Sequence, residues 1–169
     1  IEKVISEAYK KLKKSGIKTA KLDSEILMSK VIQKDRAFVI LNSDYDLKKN
    51  LVNCYKDLIQ KRSIGTPVSY LTGTKNFWNY DFKINKNVLI PRPDTELIIQ
   101  EILNLTKNKN KLRFLDVGTG SGCIILTLLK EKKDFYGIGI DISKKSLDIA
   151  KINRDNLGVK NRVKFLKSD

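Results

Sequence analysis

The segment Asp116-Val117-Gly118-Thr119-Gly120-Ser121-Gly122 constrains the fold of this chain more than any other. It follows a short apolar run, residues 114–117, which we predict to be a compact buried strand, and it opens a helical pattern that extends to about residue 131. Three glycines in residues 118–122 (the glycine loop) let the backbone turn tightly and approach a ligand without a Cβ in the way. Because a doubly wound parallel sheet binds its ligands outside the carboxyl ends of its strands, this turn predicts a ligand site.

Strand and helix patterns alternate around the glycine loop. The predicted order is a strand over 88–90, a helix from a cap at Asp94 or Thr95 to about Thr106, a strand over 114–117, a helix over 122–131, a strand over 135–140, a helix over 143–156 and a strand over 163–166. Such alternation predicts parallel strands joined by right-handed crossovers. Residues 88–169 are therefore predicted to form part of a Rossmann-like α/β domain.

Residues 1–72 are predicted to form a small helical bundle, because apolar residues recur at helical spacing in four segments. Gly16 ends the first segment, and Asp23 or Ser24 is available to cap the second. The third helix is predicted over 37–41. The fourth is predicted to start from Asp44 or Asp46 and to end before Gly65.

Residues 73–87 are predicted to form a β-hairpin that connects the two domains. The segment is dense in aromatic and apolar residues, with alternation from Trp78 onward: Phe77, Trp78, Tyr80, Phe82 and Ile84. Alternation of this kind, next to the break at Gly73, is typical of a pair of short strands.

The composition excludes several classes of site. The sequence has no histidine, which removes histidine-based triads and histidine metal ligands, and we expect no metal. Its two cysteines, Cys54 and Cys123, exclude a disulfide scaffold and fit a reducing cytoplasm. No apolar run approaches the ~18 residues of a membrane span, so no membrane partner is expected.

The net charge is +15, which invites a nucleic-acid partner. The basic residues, however, are 28 lysines and 6 arginines, and bidentate recognition of bases and phosphates favours arginine. We interpret most of the charge as compositional bias and solvated faces, and expect no direct sequence-specific binding of nucleic acid.

The charge of Asp116 discriminates between two ligands for the glycine loop. A dinucleotide motif places its third glycine one residue later, where this sequence has Cys123, which we expect to pack as a small buried group. A carboxylate beside a pyrophosphate is repulsive, at about 4 kcal/mol for two charges ~4 Å apart. S-adenosylmethionine carries an ammonium and a sulfonium and no phosphate, so Asp116 favours S-adenosylmethionine over a nicotinamide dinucleotide.

Asp141 ends the strand that follows the glycine loop and lies 21 positions after Gly120. A carboxylate there can accept hydrogen bonds from both hydroxyls of an adenosine ribose. The alternative is a structural one, in which Asp141 or Ser143 caps the next helix. Asp169 ends the third strand and borders either an adenine pocket or only a solvated loop.

With these residues, the chain resembles the HemK/PrmC type of protein-(glutamine-N5) methyltransferase, which methylates a glutamine in peptide-chain release factors. The resemblance covers almost the whole chain. It rests on the helical N-terminal domain, Thr66-Pro67-Val68-Ser69-Tyr70-Leu71-Thr72-Gly73, Asn76-Phe77-Trp78, Val88-Leu89-Ile90-Pro91-Arg92-Pro93-Asp94-Thr95-Glu96 and the glycine loop. The stretch from Ile90 to Glu96 is the most specific of these.

The resemblance implies a class I S-adenosylmethionine methyltransferase whose glycine loop holds the methionine moiety and whose Asp141 holds the ribose. Pro91, Arg92, Pro93 and Thr95 would then lie at the edge of the active site, and residues 1–72 would recognise the release factor. The catalytic Asn-Pro-Pro-Tyr of the family would lie after the next strand, beyond Asp169. We therefore assign no catalytic residue, and expect a monomeric chain, truncated before that motif and inactive by itself.

Two other function classes stay open from the sequence. A nucleic-acid amino-methyltransferase acting on adenine N6 or cytosine N4 uses similar chemistry on a similar nitrogen and suits the positive charge. A non-catalytic module that binds the methyl donor or docks a release factor is the other.

Overall fold

The computed structural model describes residues 1–168, which belong to two compact units, Ile1–Thr72 and Gly73–Asp169. Asp169, predicted to border either an adenine pocket or only a solvated loop, lies outside the described residues. Among the described helices, none is both long and apolar enough to cross a membrane.

The first unit is a bundle of five helices, which confirms the predicted helical N-terminal region. The helices are α1 (Glu2–Lys14), α2 (Ala20–Ile32), α3 (Arg36–Leu41), α4 (Lys49–Ser63) and α5 (Val68–Thr72). Their apolar stripes meet in a core that includes Leu12, Leu27, Met28, Tyr55 and Ile59, all buried. The Tyr55 hydroxyl remains paired inside this core because it donates to the backbone oxygen of Ser24 at 3.0 Å.

Two predicted helix starts in this unit are wrong. Helix α2 begins one residue after Thr19, so Asp23 and Ser24 lie inside the helix rather than at its cap. The Asp23 carboxylate is buried there and accepts from Arg62 Nε at 2.7 Å and from Thr19 Oγ1 at 2.9 Å.

Helix α4 begins at Lys49, after the N-cap Lys48, and not from Asp44 or Asp46. The reason is a turn that follows α3, in which the Tyr45 N–H donates to the Asn42 oxygen at 3.1 Å. The chain from this turn to Lys48 is therefore non-helical.

The second unit begins with the predicted hairpin, which is confirmed. Strands β1 (Thr74–Phe77) and β2 (Tyr80–Lys83) are antiparallel, and Phe77 faces Tyr80 across a two-residue turn. Trp78 lies in that turn with φ of 58°. The rings of Phe77 and Phe82 are buried and meet edge to face, with centroids 6.1 Å apart.

The remaining elements form the predicted parallel α/β arrangement. They are α6 (Glu96–Leu105), β3 (Arg113–Val117), α7 (Cys123–Glu131), β4 (Tyr136–Asp141), α8 (Lys144–Asn156) and β5 (Val163–Lys167). The strands pair in parallel in the order β3-β4-β5. Gly137 of β4 lets α7 approach closely, because a Cβ on it would clash with the Ile125 side chain.

Two strand predictions need correction. Residues 88–90 form no strand: the Val88 N–H donates to Asn85 in a turn, Leu89 is exposed, and Pro91 offers no N–H to a ladder. Strand β3 exists, but it is not buried on both faces. Leu115 and Val117 are 64% and 70% exposed, because α7 packs on the opposite face of the sheet.

Candidate functional site

The glycine loop joins β3 to α7 at the carboxyl end of the parallel sheet. Its three glycines all have positive φ, between 55° and 79°, a region that favours glycine. The backbone N–H groups of Gly118 and Thr119 both donate to the Ile140 oxygen at 2.9 Å, which holds the loop against the end of β4. The Gly122 N–H donates to the Thr119 oxygen at 2.8 Å and closes the turn.

The glycines of the loop meet different surroundings. A Cβ on Gly122 would lie 2.8 Å from Leu126 Cδ1, so a larger residue there would displace the Leu126 side chain at the start of α7. A Cβ on Gly120 would meet only the Gly118 oxygen, at 3.9 Å, so Gly120 faces open space. The space beside Gly120 is where a ligand could approach the backbone.

Asp141 lies at the end of β4 and contacts the glycine loop directly. Its Oδ2 accepts the Gly120 N–H at 2.9 Å, and its Oδ1 accepts the Ser143 N–H at 2.8 Å. Of the two predicted cap residues, Ser143 is the N-cap of α8, since its hydroxyl accepts the Ser146 N–H at 3.2 Å; Asp141 is not. Each Asp141 oxygen makes one hydrogen bond and keeps acceptor capacity for a further donor.

Asp116 is the second carboxylate beside the loop. Its Oδ2 accepts a hydrogen bond from the Thr119 hydroxyl at 2.7 Å. Burial, with a smaller contribution from the charge of Asp141, raises the pKa of Asp116 above its ordinary value, although the bond from Thr119 opposes this. A cation bound nearby would stabilise the carboxylate form, so the electrostatics of the loop favour a positively charged ligand.

The other predicted residues occupy the surroundings of this turn. Thr119 and Ser121 are buried. Cys123 opens α7 and is partly buried, and burial raises the pKa of its thiol to about 11, so the thiol is protonated at neutral pH.

The predicted active-site edge is a 3₁₀ turn, Pro93–Thr95, that leads into α6. Arg92 is the N-cap of this turn, and its oxygen accepts the Thr95 N–H at 3.1 Å. Pro91 is buried, whereas Arg92 and Pro93 are exposed. The chain just before this turn is attached to α8, because the Ser146 hydroxyl donates to the Asn87 oxygen at 2.9 Å.

Sequence reasoning missed Asn153, which is fully buried on α8 and donates to the Ser121 oxygen at 2.8 Å. The available signal was its spacing. Leu147, Ala150 and Asn153 recur every three residues, and an amide among apolar residues on a buried helical stripe is unusual.

Comparison with known proteins finds two family matches and similar solved structures. Residues 3–73 match the family described as PrmC N-terminal domain, and residues 108–169 match one described as methyltransferase domain. Among solved structures, a SAM-dependent methyltransferase from Geobacter sulfurreducens in complex with S-adenosyl-L-homocysteine is 31% identical. It covers 46% of this chain and 30% of its own, with a TM-score of 0.39.

Curated relatives named release factor glutamine methyltransferase match the chain throughout. The one from Clostridium acetobutylicum is 38% identical over 100% of this chain and 59% of its own length. The relative from Buchnera aphidicola subsp. Schizaphis graminum is 40% identical over 98% and 58%, and that from Clostridium botulinum is 37% identical over 100% and 60%. The chain spans about three-fifths of the length of the curated relatives it matches. Along its whole length the chain is therefore similar to proteins named release factor glutamine methyltransferase, and its two parts match the PrmC N-terminal domain and the methyltransferase domain.

Proposed function

We propose that the glycine loop and its two neighbouring carboxylates bind S-adenosylmethionine. The observation that carries this proposal is that Asp116 and Asp141 both accept hydrogen bonds from the glycine loop, whose backbone is open at Gly120. Two carboxylates repel a phosphate-bearing nucleotide and attract a ligand with ammonium and sulfonium groups. The match to a methyltransferase domain supports the same ligand.

Each residue of the site would then hold a different part of the ligand. The backbone of Gly118, Thr119, Gly120, Ser121 and Gly122 would hold the methionine moiety. The free acceptor positions of the Asp141 carboxylate would accept the two ribose hydroxyls. Asp116 would stabilise the positive charge. When bound, the sulfonium supplies an electrophilic methyl group, so the site needs no nucleophile of its own.

We further propose that the protein methylates the side-chain nitrogen of a glutamine in a peptide-chain release factor. The names of its relatives support this substrate. An amide nitrogen is a poor nucleophile because its lone pair is delocalised, so catalysis depends on orientation and electrostatics rather than on a covalent intermediate. In this proposal Pro91, Arg92, Pro93 and Thr95 border the active site and the helical unit recognises the substrate. The protein acts as a monomer in the cytoplasm.

This chain is expected to bind the methyl donor without transferring the methyl group. Its sequence contains no Asn-Pro-Pro-Tyr motif. In that motif, the asparagine side-chain oxygen and a proline backbone oxygen would accept hydrogen bonds from the two N–H groups of the glutamine amide. Binding and catalysis are therefore separable in experiment.

The test has two parts. Calorimetry of the 169-residue chain with S-adenosylmethionine and with NADH asks which ligand binds, and binding of NADH alone would contradict the donor assignment. Tritiated S-adenosylmethionine, incubated with the full-length protein and either a release factor or bulk RNA and DNA, then tests the substrate. Label on the release factor is expected. Label on nucleic acid alone would instead establish an amino-methyltransferase acting on bases.

A further inference from the structure

Asn153 uses every donor of its side-chain amide in a fully buried position on α8. Its Oδ1 accepts the Lys83 N–H at 2.7 Å, and its Nδ2 donates to the Lys83 oxygen at 3.0 Å and to the Ser121 oxygen at 2.8 Å. No other side chain of this size offers two donors and an acceptor together. One residue therefore contacts both the hairpin and the glycine loop.

At the hairpin, Asn153 acts like a neighbouring strand. Lys83 is the last residue of β2, and both of its backbone groups pair with the Asn153 amide instead of with water. The end of β2 is thereby fixed to α8, just before the chain continues toward Asn87 and the 3₁₀ turn.

At the glycine loop, Asn153 holds the peptide that joins Ser121 to Gly122. The N–H of this peptide donates to the Thr119 oxygen at 2.8 Å, and Gly122, with φ of 79°, has no side chain to limit rotation on that side. The orientation of this peptide therefore depends on its hydrogen-bond partners, and Asn153 Nδ2 is one of them.

We infer that Asn153 is a positioning residue, which sets the glycine loop in its binding conformation and couples it to the Lys83 end of the hairpin. The effect of Asn153 on ligand affinity rests on the proposed function, in which the glycine loop binds the methyl donor. The coupling between the loop and Lys83 does not rest on that function, since it needs only the three hydrogen bonds of Asn153. A preorganised loop binds more tightly because less freedom is lost on binding.

Amide hydrogen exchange of the ligand-free chain tests the coupling. Asn153→Ala should speed exchange at Gly120 and Gly122 about tenfold relative to the unmodified chain. The matched control is Ser146→Ala, which removes another buried hydrogen bond of α8, the one to Asn87, without touching the loop. Equal exchange at Gly120 and Gly122 in the two variants would reduce Asn153 to a purely structural role and overturn the inference.

Asn153→Asp separates the two contacts. The aspartate keeps the acceptor for the Lys83 N–H and loses both donors. Amide exchange at Gly120 and Gly122 should therefore become faster, while exchange at Lys83 stays slow. Faster amide exchange at Lys83, without faster exchange at Gly120 and Gly122, would contradict the inference. Should these variants fail to fold, the unmodified chain decides: saturating S-adenosylhomocysteine should slow exchange of the Lys83 amide, and an unchanged Lys83 would overturn the coupling.

Affinity distinguishes this inference from the proposed function. Asn153→Ala should weaken binding of S-adenosylhomocysteine about tenfold, and Ser146→Ala should leave it within twofold. If the unmodified chain binds none of the ligand, the proposed function fails, while exchange at the loop of the variants still decides the role of Asn153.

Discussion

Asp141 and Gly120 are joined by a hydrogen bond of 2.9 Å from the loop N–H to the carboxylate, so the end of β4 and the middle of the glycine loop form one unit. The bond is charge-assisted, a class about twice as strong as a neutral pair. Asp141 therefore shapes the loop in addition to offering acceptors to a ligand.

Asp141→Ala is expected to weaken binding of S-adenosylmethionine by about 2 kcal/mol, roughly thirtyfold, because both the ribose acceptors and the Gly120 contact are lost. Calorimetry measures the change. Asp148→Ala is the control, since it removes the same charge from the exposed face of α8. Unchanged affinity in Asp141→Ala would mean that Asp141 serves only the loop and the start of α8.

Gly120→Ala is expected to separate binding from stability. The positive φ costs an alanine about 1–2 kcal/mol, and the added methyl group would occupy the open space assigned to the ligand. Gly158→Ala is a matched control, because Gly158 has φ of 68° and open space but lies away from the loop. Urea unfolding should give similar losses in both variants, while calorimetry should show loss of donor binding in Gly120→Ala alone.

The raised pKa of Asp116 predicts a pH dependence of stability. In the window between the ordinary and the raised pKa, the folded chain holds a proton that the unfolded chain has released, so the free energy of unfolding falls as pH rises through this window. Asp116→Asn should remove that slope, as measured by urea unfolding across acid pH. A slope unchanged in the variant would mean that another group causes it.

The same carboxyl predicts a pH dependence of binding with the opposite sign. A cationic ligand favours the ionised form of Asp116, so affinity for S-adenosylmethionine should rise as pH increases through the raised pKa. Calorimetry over the same pH series measures this effect. Asp116→Asn should bind more weakly at neutral pH and show a flatter profile.

Glu131 attaches the hairpin turn to the end of α7. Its Oε1 accepts from Trp78 Nε1 at 3.0 Å and from the Tyr80 hydroxyl at 2.8 Å. Desolvation and the bond to Glu131 raise the pKa of Tyr80 to about 12. In Glu131→Ala, the pKa of Tyr80 should lie nearer its ordinary value, as measured by the difference in tyrosinate absorbance between the variant and the unmodified chain, which has six tyrosines. The emission of Trp78, the sole tryptophan, should shift to the red.

Two variants serve as references for the Glu131 experiment. Glu131→Gln keeps an acceptor and should retain the Trp78 emission. Glu101→Ala removes an exposed acid from α6 and should change neither signal. Identical Trp78 emission in Glu131→Ala and the unmodified chain would mean that Glu131 does not attach the hairpin turn to α7.

In the helical unit, Asp23→Ala is expected to destabilise the fold by about 3 kcal/mol. The Asp23–Arg62 pair is largely buried, and loss of the carboxylate leaves the Arg62 guanidinium without its charged partner. Arg62 also donates to the Thr66 oxygen at 3.2 Å, so the chain leading into α5 should loosen as well. Urea unfolding checks this, with Lys151→Ala, from an exposed pair, expected to cost less than about 1 kcal/mol.

Local periodicity was sufficient to predict the bundle, the hairpin and the three parallel strands, because each of these buries an apolar stripe or an alternating face. It failed where tertiary contacts decide. Asp23 is a good cap by residue type, yet it lies inside α2. Its carboxylate pairs there with Arg62, which is 39 residues away in the sequence. Residues 88–90 have the composition of a strand, but the turn at Asn85 and the following prolines leave them outside the sheet.

The candidate site divides in the same way. The glycine loop, Asp116 and Asp141 follow directly from a strand-turn-helix pattern, and the structure brings them into contact. Asn153 lies 32 residues from Ser121 and 70 from Lys83, and its role depends on two long-range hydrogen-bond partners that no local pattern contains.

The exposed side chains of Leu115, Val117, Ile138 and Leu166 have a practical consequence for any solution study of this chain. An exposed apolar surface on a sheet promotes association between protein molecules at millimolar concentrations. Titrations therefore belong at low micromolar protein, with sedimentation measured alongside. An apparent Kd that drifts with protein concentration would report such association rather than ligand binding.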